Sequence, residues 1–230
     1  PRAGLTIVTA SVIRRSLKDL PSADILEQYV PPLATKVVDA YGEPIGEFFT
    51  ERRTTVPLTK IPTDLRRAVM SIEDNLFYDH WGIDIRGILR AMMANIRARR
   101  VIQGGSTLTQ QLAKTIFLTR EKTLVRKFKE LLLTLQIEHR YSKDEILELY
   151  LNQIYFGSGA YGVEAAARLY FDKHTEELNL PECALLAGLV RSPNRYSPLR
   201  NPELAAQRRA VVLKRMREEG FISQQEEAQA

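Results

Sequence analysis

The chain has 230 residues, 44% hydrophobic and 27% charged, which excludes wholesale disorder and suffices for one large domain or a domain with a small lobe. A net charge of +5 suits anionic partners such as phosphorylated carriers, acidic lipid surfaces or nucleic acid, without choosing among them. The lone Cys183 excludes an internal disulfide, and His80, His139 and His174 are too dispersed for a zinc site.

The chain opens on Pro1 rather than Met, so an excised fragment is expected. Residues 1–30 read as an N-terminal helical segment. Its apolar run Leu5–Ile13 ends at Arg14-Arg15 and falls short of the ~20 residues a bilayer needs. The end of a truncated membrane anchor and an ordinary amphipathic helix both fit. Pro31-Pro32 then breaks the chain. Thr35–Ala40 and Ile45–Phe49, flanking Tyr41–Pro44, predict a β-hairpin, with a third extended piece at Thr54–Leu58.

Helix signals dominate from residue 62. Thr63 suits a cap, with Leu65, Val69 and Ile72 on one face. Ile85, Leu89, Met92, Met93 and Ile96 keep helical spacing through the next element. Ser106 or Thr107 caps a helix running to about Phe117, and Leu124, Phe128, Leu131 and Leu135 stripe a long helix ending near Arg140. Ser142 with Glu145 forms a capping box for the helix bearing Tyr150 and Asn152. Pro181 opens an apolar helix through Val190. Pro202 opens the last one, which Gly220 closes. The expected fold is mainly α (α+β) with a small N-terminal β-hairpin.

Chemistry concentrates between residues 73 and 130. Glu73 lies late in an amphipathic helix beside Phe77, Tyr78 and Trp81, and a carboxylate among aromatics is desolvated into a stronger base. A solvated helix carboxylate is the competing reading, with Asp74 and Asp79 as nearby rivals. Gly104-Gly105-Ser106-Thr107 at a helix start offers free amides and two hydroxyls to anionic oxygens, without the Gly-Lys-Ser/Thr of a Walker loop. A plain capped turn explains the glycines but not Gln110, Gln111 and Lys114 on the following turns. Arg126, Lys127, Lys129 and Glu130 share a few turns at spacings that permit intrahelical pairs, which a merely solvated face would also show. Arg97, Arg99 and Arg100 suit a helix C-terminus, or else an anionic membrane surface. His80 reads as structural. Tyr150 and Asn152 either line a polar cleft or pack. Arg208, Val212 and Met216 read as packing, and Cys183 as a buried inert thiol.

Taken together, the chain resembles the peptidoglycan glycosyltransferase domain of class A penicillin-binding proteins over roughly residues 35–220. Five signatures carry the resemblance in order: Glu73-x-x-x-Phe77-x-x-His80-x-Gly82; Gly104-Gly105-Ser106-Thr107-x-Thr109-Gln110-Gln111 with Lys114; Arg126-Lys127-x-x-Glu130; Lys143-x-x-Ile146-x-x-x-Tyr150-x-Asn152; and Arg208-x-x-x-Val212-x-x-x-Met216. The resemblance implies a lysozyme-like bilobal domain over residues 31–230, with a head lobe and a smaller jaw touching the membrane. It implies polymerisation of lipid II, a disaccharide-pentapeptide on undecaprenyl diphosphate, into a growing glycan chain on the extracytoplasmic side of the bacterial cytoplasmic membrane. A transpeptidase domain is expected in the full-length protein. No Ser-x-x-Lys occurs in this chain, so β-lactam acylation is not expected here.

Under that resemblance Glu73 is the general base that deprotonates the acceptor 4-hydroxyl, and attack opposite an α-linked donor gives a β-linked product by inversion. The leaving diphosphate is a weak base that needs neutralisation more than a proton. Arg126, Lys127 and Lys114, with Ser106, Thr107 and Gln111, form its clamp, and Tyr150 and Asn152 join the substrate-binding set. Glu130 is doubtful as an acid; it orients Lys127 or Arg126, or helps hold a divalent metal, Mg2+ or Mn2+, whose need is open. The alternative is a muramidase or lytic transglycosylase with Glu73 as acid, which requires no cationic diphosphate site. A basic nucleic-acid module is the third reading, but no nucleic-acid motif supports it, so nucleic acid is not an expected partner.

Overall fold

The computed structural model describes residues 35–41, 44–48, 54–100, 104–118 and 123–230. The expectations for residues 1–30 lie outside them. In chain order the elements are β1 (Thr35–Val38), β2 (Pro44–Phe48), a 3-10 turn (Leu58–Lys60), α1 (Thr63–Glu73), α2 (Ile85–Ala98), α3 (Leu108–Phe117), α4 (Leu124–Arg140), α5 (Lys143–Gln153), β3 (Tyr155–Gly157), β4 (Ala160–Tyr161), α6 (Val163–Phe171), a second 3-10 turn (Thr175–Glu177), α7 (Leu180–Leu189), α8 (Pro202–Glu218) and α9 (Gln224–Gln229). The fold is mainly α, as the helix signals require. The described residues divide into two compact units, one holding 79–146, the other 35–78 and 147–230.

In the first unit each helix start is fixed by a side chain. Asp84 accepts from the Gly87 amide, Thr107 from Gln110 and Thr123 from Arg126. The Thr107 hydroxyl also donates to the Gly82 carbonyl at 2.7 Å, tying the start of α3 to the loop before α2. Gly82 sits at φ +75°, and a Cβ there would lie 2.5 Å from Thr134 Cγ2 and 2.8 Å from Glu138 Cγ, so only glycine fits against α4. α3 packs on α4 through Leu108, Leu112 and Ala113 of the one and Leu133 and Ile137 of the other.

The apolar stripes that announced two of these helices face outward. On α2, Ile85, Leu89, Met92, Met93 and Ile96 are all exposed, Ile96 to 67%, and the buried positions are Gly87 and Ala91. On α4, Leu124, Phe128 and Leu135 are exposed, and the buried face is Glu130, Leu133, Thr134 and Ile137. Periodicity gave the helices correctly; it did not give the direction in which the stripe points.

In the second unit β1 and β2 pair antiparallel, with Thr35 opposite Phe48 and an irregularity between Val37 and Val38. Pro44 opens β2 rather than ending the turn, whose start is held by the Tyr41 amide donating to Asp39. The third extended piece does not form a strand. Pro57 removes an amide there, and the neighbouring backbone is satisfied by α5 instead: Asn152 brackets Val56, and Glu148 accepts from the Leu58 amide at 2.7 Å.

Thr63 is the first residue of α1, not its cap. Pro62 holds the cap position, and the Thr63 hydroxyl accepts from Arg66. α7 packs against both α1 and α8, which also pack on each other. Its Cys183, Ala184, Leu186, Ala187 and Leu189 are buried, and its small residues let neighbouring backbones approach. The Asn179–Glu182 capping box sets its start. Burial pushes the Cys183 thiol up to about 12, consistent with an inert core residue. The β3–β4 hairpin, α6 and the closing α9 had no counterpart in the sequence reading. Among the described residues no helix is long and apolar enough to cross a membrane.

Candidate active site

The first unit carries a cationic cluster around a buried acid. Glu130 is 2% exposed on the inner face of α4. One of its oxygens accepts from Arg126 Nη1 at 2.5 Å, the other from Lys127 Nζ. The i,i+4 and i,i+3 spacings are those seen in the sequence, but a solvated face is excluded on the acid's side, because burying a carboxylate demands that both oxygens be paired. Lys127 Nζ also lies 3.2 Å from Ser106 Oγ and 3.3 Å from Gln110 Oε1. One ammonium thus joins the start of α3 to the inner face of α4.

The clamp residues differ in access. Ser106 and Lys114 are exposed, Gln111 is half-buried, and Lys127 is 47% exposed while Arg126 is largely covered. Thr107 is buried, its hydroxyl donating to Gly82 and accepting from Gln110, so it shapes the loop. Behind the cluster, Thr109 donates to Glu138 at 2.5 Å, and Lys143 pairs with the same carboxylate at 2.8 Å. The roles of Thr109 and Gln110 as supports do not follow from the sequence, which marks only their place in the signature.

A divalent metal does not fit at Glu130. Both oxygens face fixed cations, which a metal would have to displace. Among the described residues no three His, Cys, Asp or Glu side chains gather into a metal-holding group. The geometry of Glu130 is that of an orienting anion for Arg126 and Lys127.

The second unit carries Glu73 at the last position of α1, half-buried, followed by the buried Asp74 as C-cap. Phe77 and Tyr78 stack edge to face just beyond it, their centroids 5.3 Å apart. Tyr150 is buried, and that burial, reinforced by the negative charges of Glu73 and Asp74, raises its phenol well above the usual range. Asn152 uses its amide completely on backbone: it donates to the carbonyls of Val56 and Glu148 and accepts from the Val56 amide. Both residues are buried, and the Asn152 amide is engaged by the backbone. Arg208, read as packing, is buried too and lies within electrostatic reach of Glu73. In the first unit, His80 accepts from the Gly82 amide at 3.1 Å, a structural role.

A mainly α fold with these signatures defines a transglycosylase domain. The family model described as "Transglycosylase" matches residues 41–217, and the chain belongs to that family. It is similar to penicillin-binding protein 1A of Aquifex aeolicus (strain VF5), at 53% identity over 213 residues covering 93% of this chain and 29% of the relative. Penicillin-binding protein 1A of Neisseria flavescens is 46% identical over 211 residues, covering 92% of this chain and 26% of the relative. The crystal structure of penicillin-binding protein 1A from Haemophilus influenzae superposes with a TM-score of 0.51 at 28% identity, covering 88% of this chain and 20% of that one. The chain therefore spans less than a third of the length of the curated relatives it matches. Its class is the transglycosylase domain of a class A penicillin-binding protein.

Proposed function

We propose that this domain polymerises lipid II into β-1,4-linked glycan by inverting transfer from an undecaprenyl-diphosphate donor. Glu73 is the general base that takes the proton of the acceptor 4-hydroxyl. Lys127 and Arg126, with Lys114, Ser106 and Gln111, neutralise the departing diphosphate. Glu130 holds the two α4 cations in register, and no step is routed through a metal. The single observation that carries this reading is the Lys127 junction, an ammonium shared by Ser106, Gln110 and the buried Glu130. A preset cation of this kind suits a leaving group that carries charge rather than one that needs a proton. A glycan-cleaving enzyme has no use for it.

The proposed setting is the extracytoplasmic face of the bacterial cytoplasmic membrane, with the growing glycan chain as partner and a transpeptidase domain in the full-length protein. Support comes from α2, whose exposed Met92, Met93 and Ile96 precede Arg97, Arg99 and Arg100; an apolar face edged by cations suits an anionic membrane surface. Incubation with lipid II and, separately, with finished peptidoglycan tests the reading. Chain growth on the first supports it; cleavage of the second without growth contradicts it.

A further inference from the structure

Resting on the reading of Lys127 as a cation for the departing diphosphate, we propose that Glu138 is a positioning residue: through Thr109 it fixes the first turn of α3, and with it Ser106 and Gln110, against Lys127. Lys127, Glu130, Thr134 and Glu138 follow one another at three- and four-residue steps, so they share one face of α4. That face holds the start of α3 at both of its ends. At the first, Lys127 Nζ lies 3.2 Å from Ser106 Oγ and 3.3 Å from Gln110 Oε1. At the second, about three turns or roughly 16 Å further along the helix, the Thr109 hydroxyl donates to Glu138 Oε1 at 2.5 Å. Between them Gly82 sits against Thr134 and Glu138, and its carbonyl accepts from Thr107, the cap of α3.

The Glu138 side chain is 8% exposed, and Lys143, the first residue of α5, reaches both of its oxygens, at 2.9 Å and 2.8 Å. Desolvation offsets most of the attraction in a covered ion pair, so stability is a weak reason for it. Its effect here is on geometry. Lys143 spans the carboxylate and sets its direction, and the buried Thr109 hydroxyl cannot leave that acceptor without a cost. α3 is thereby held to one rotation about its own axis. A turn of about 10° moves a side-chain tip, about 6 Å from the axis, by about 1 Å. The contacts of Lys127 with Ser106 and Gln110 are already near the outer limit of a hydrogen bond, so such a turn breaks them. Lys127 would then keep Glu130 and lose its hold on the α3 turn.

The test is steady-state lipid II polymerisation by Thr109→Val, Thr109→Ser and Glu138→Met, with Lys127→Met in parallel. Valine keeps the shape of Thr109 and loses the hydroxyl; serine keeps the hydroxyl and loses a methyl. Thr109→Val is expected to lower kcat roughly 10–100-fold, the scale of a misplacement near 1 Å. Its KM for lipid II should stay within about threefold, as for a group that acts in the transition state. Thr109→Ser should remain within a few-fold of wild type in kcat. A packing role predicts the opposite order, so a serine variant no faster than the valine one overturns the proposal, as does a valine variant changed in KM alone. Glu138→Met should match Thr109→Val, and the double variant should be no slower than either, since all three break the same bond. Multiplicative losses overturn it. If Glu138→Met does not fold, the order of the two Thr109 variants decides alone. Near wild-type kcat in Lys127→Met would overturn the diphosphate reading, and the positioning role with it. A slow Lys127→Met beside a Thr109→Val within a few-fold of wild type overturns the positioning role alone.

Discussion

The two units differ in where their large apolar side chains lie. The second is built conventionally: α7 is apolar nearly all round and packs on α1 and α8 through Leu65, Val69, Leu186, Val212 and Met216. The first turns part of that rule outward. Its buried set includes Glu130, Thr134, Thr109 and Gln110, while its larger apolar side chains on α2 and α4 meet solvent. Glu130, Thr109 and Thr134 are each hydrogen-bonded, and this inward polarity serves geometry: hydrogen bonds fix Lys127 and Arg126 where packing alone would leave long side chains free. Outward apolarity on such a scale is what the membrane setting proposed above calls for.

The largest expected effect breaks the first unit's inner network. Lys127→Met should cut the polymerisation rate roughly 10²–10³-fold, the usual loss for one preset donor at a developing negative charge, with a modest change in thermal midpoint. A variant within a few-fold of wild type would mean the ammonium is structural. Next comes the contrast between the two kinds of apolar residue. Leu186→Ala, in the packed core, should cost about 2–5 kcal/mol in urea unfolding. The pair Met93→Ser and Ile96→Ser should change stability by no more than about 0.5 kcal/mol, yet weaken binding to anionic vesicles. Equal destabilisation by both would show that the α2 stripe is covered in solution.

The smallest effect concerns pH and the second unit. Burial pushes the Glu164 carboxyl up, but hydrogen bonds from Thr175, Arg168 and His174 outweigh it and hold the group below its ordinary value of 4.5. A depressed carboxyl contributes stability that is present above that value and lost as pH falls through the folded one. The wild type should therefore lose unfolding free energy below about pH 4.5. Glu164→Gln should start less stable and lose less over the same interval. Parallel curves for the two proteins would contradict the assignment.

Much of this was legible where the deciding chemistry is local. Thr107, the Ser142–Glu145 box, Pro181 and Pro202 set helix starts through contacts within a few residues, and the structure has helices there. The short β3–β4 hairpin offered only a few residues around Gly157-Ser158-Gly159, and α6 only an alanine run without a strong stripe. Tertiary facts escaped altogether. Nothing local says that Asn152 will bracket a backbone 96 residues away, or that Arg208 will seat on a carbonyl 20 residues away. Nor does helical spacing distinguish a stripe that faces a core from one that faces outward, since the period is the same. Glu130 shows the same ambiguity: paired and exposed, or paired and buried, it has the same neighbours at three and four residues.

The central claim, that Glu73 is the base of a glycosyl transfer, is tested most directly by measuring lipid II polymerisation and lipid II binding together in Glu73→Gln. The expected result is loss of chain growth with binding retained, since the amide keeps the shape of the side chain and cannot take the proton. Near wild-type turnover by that variant would contradict it.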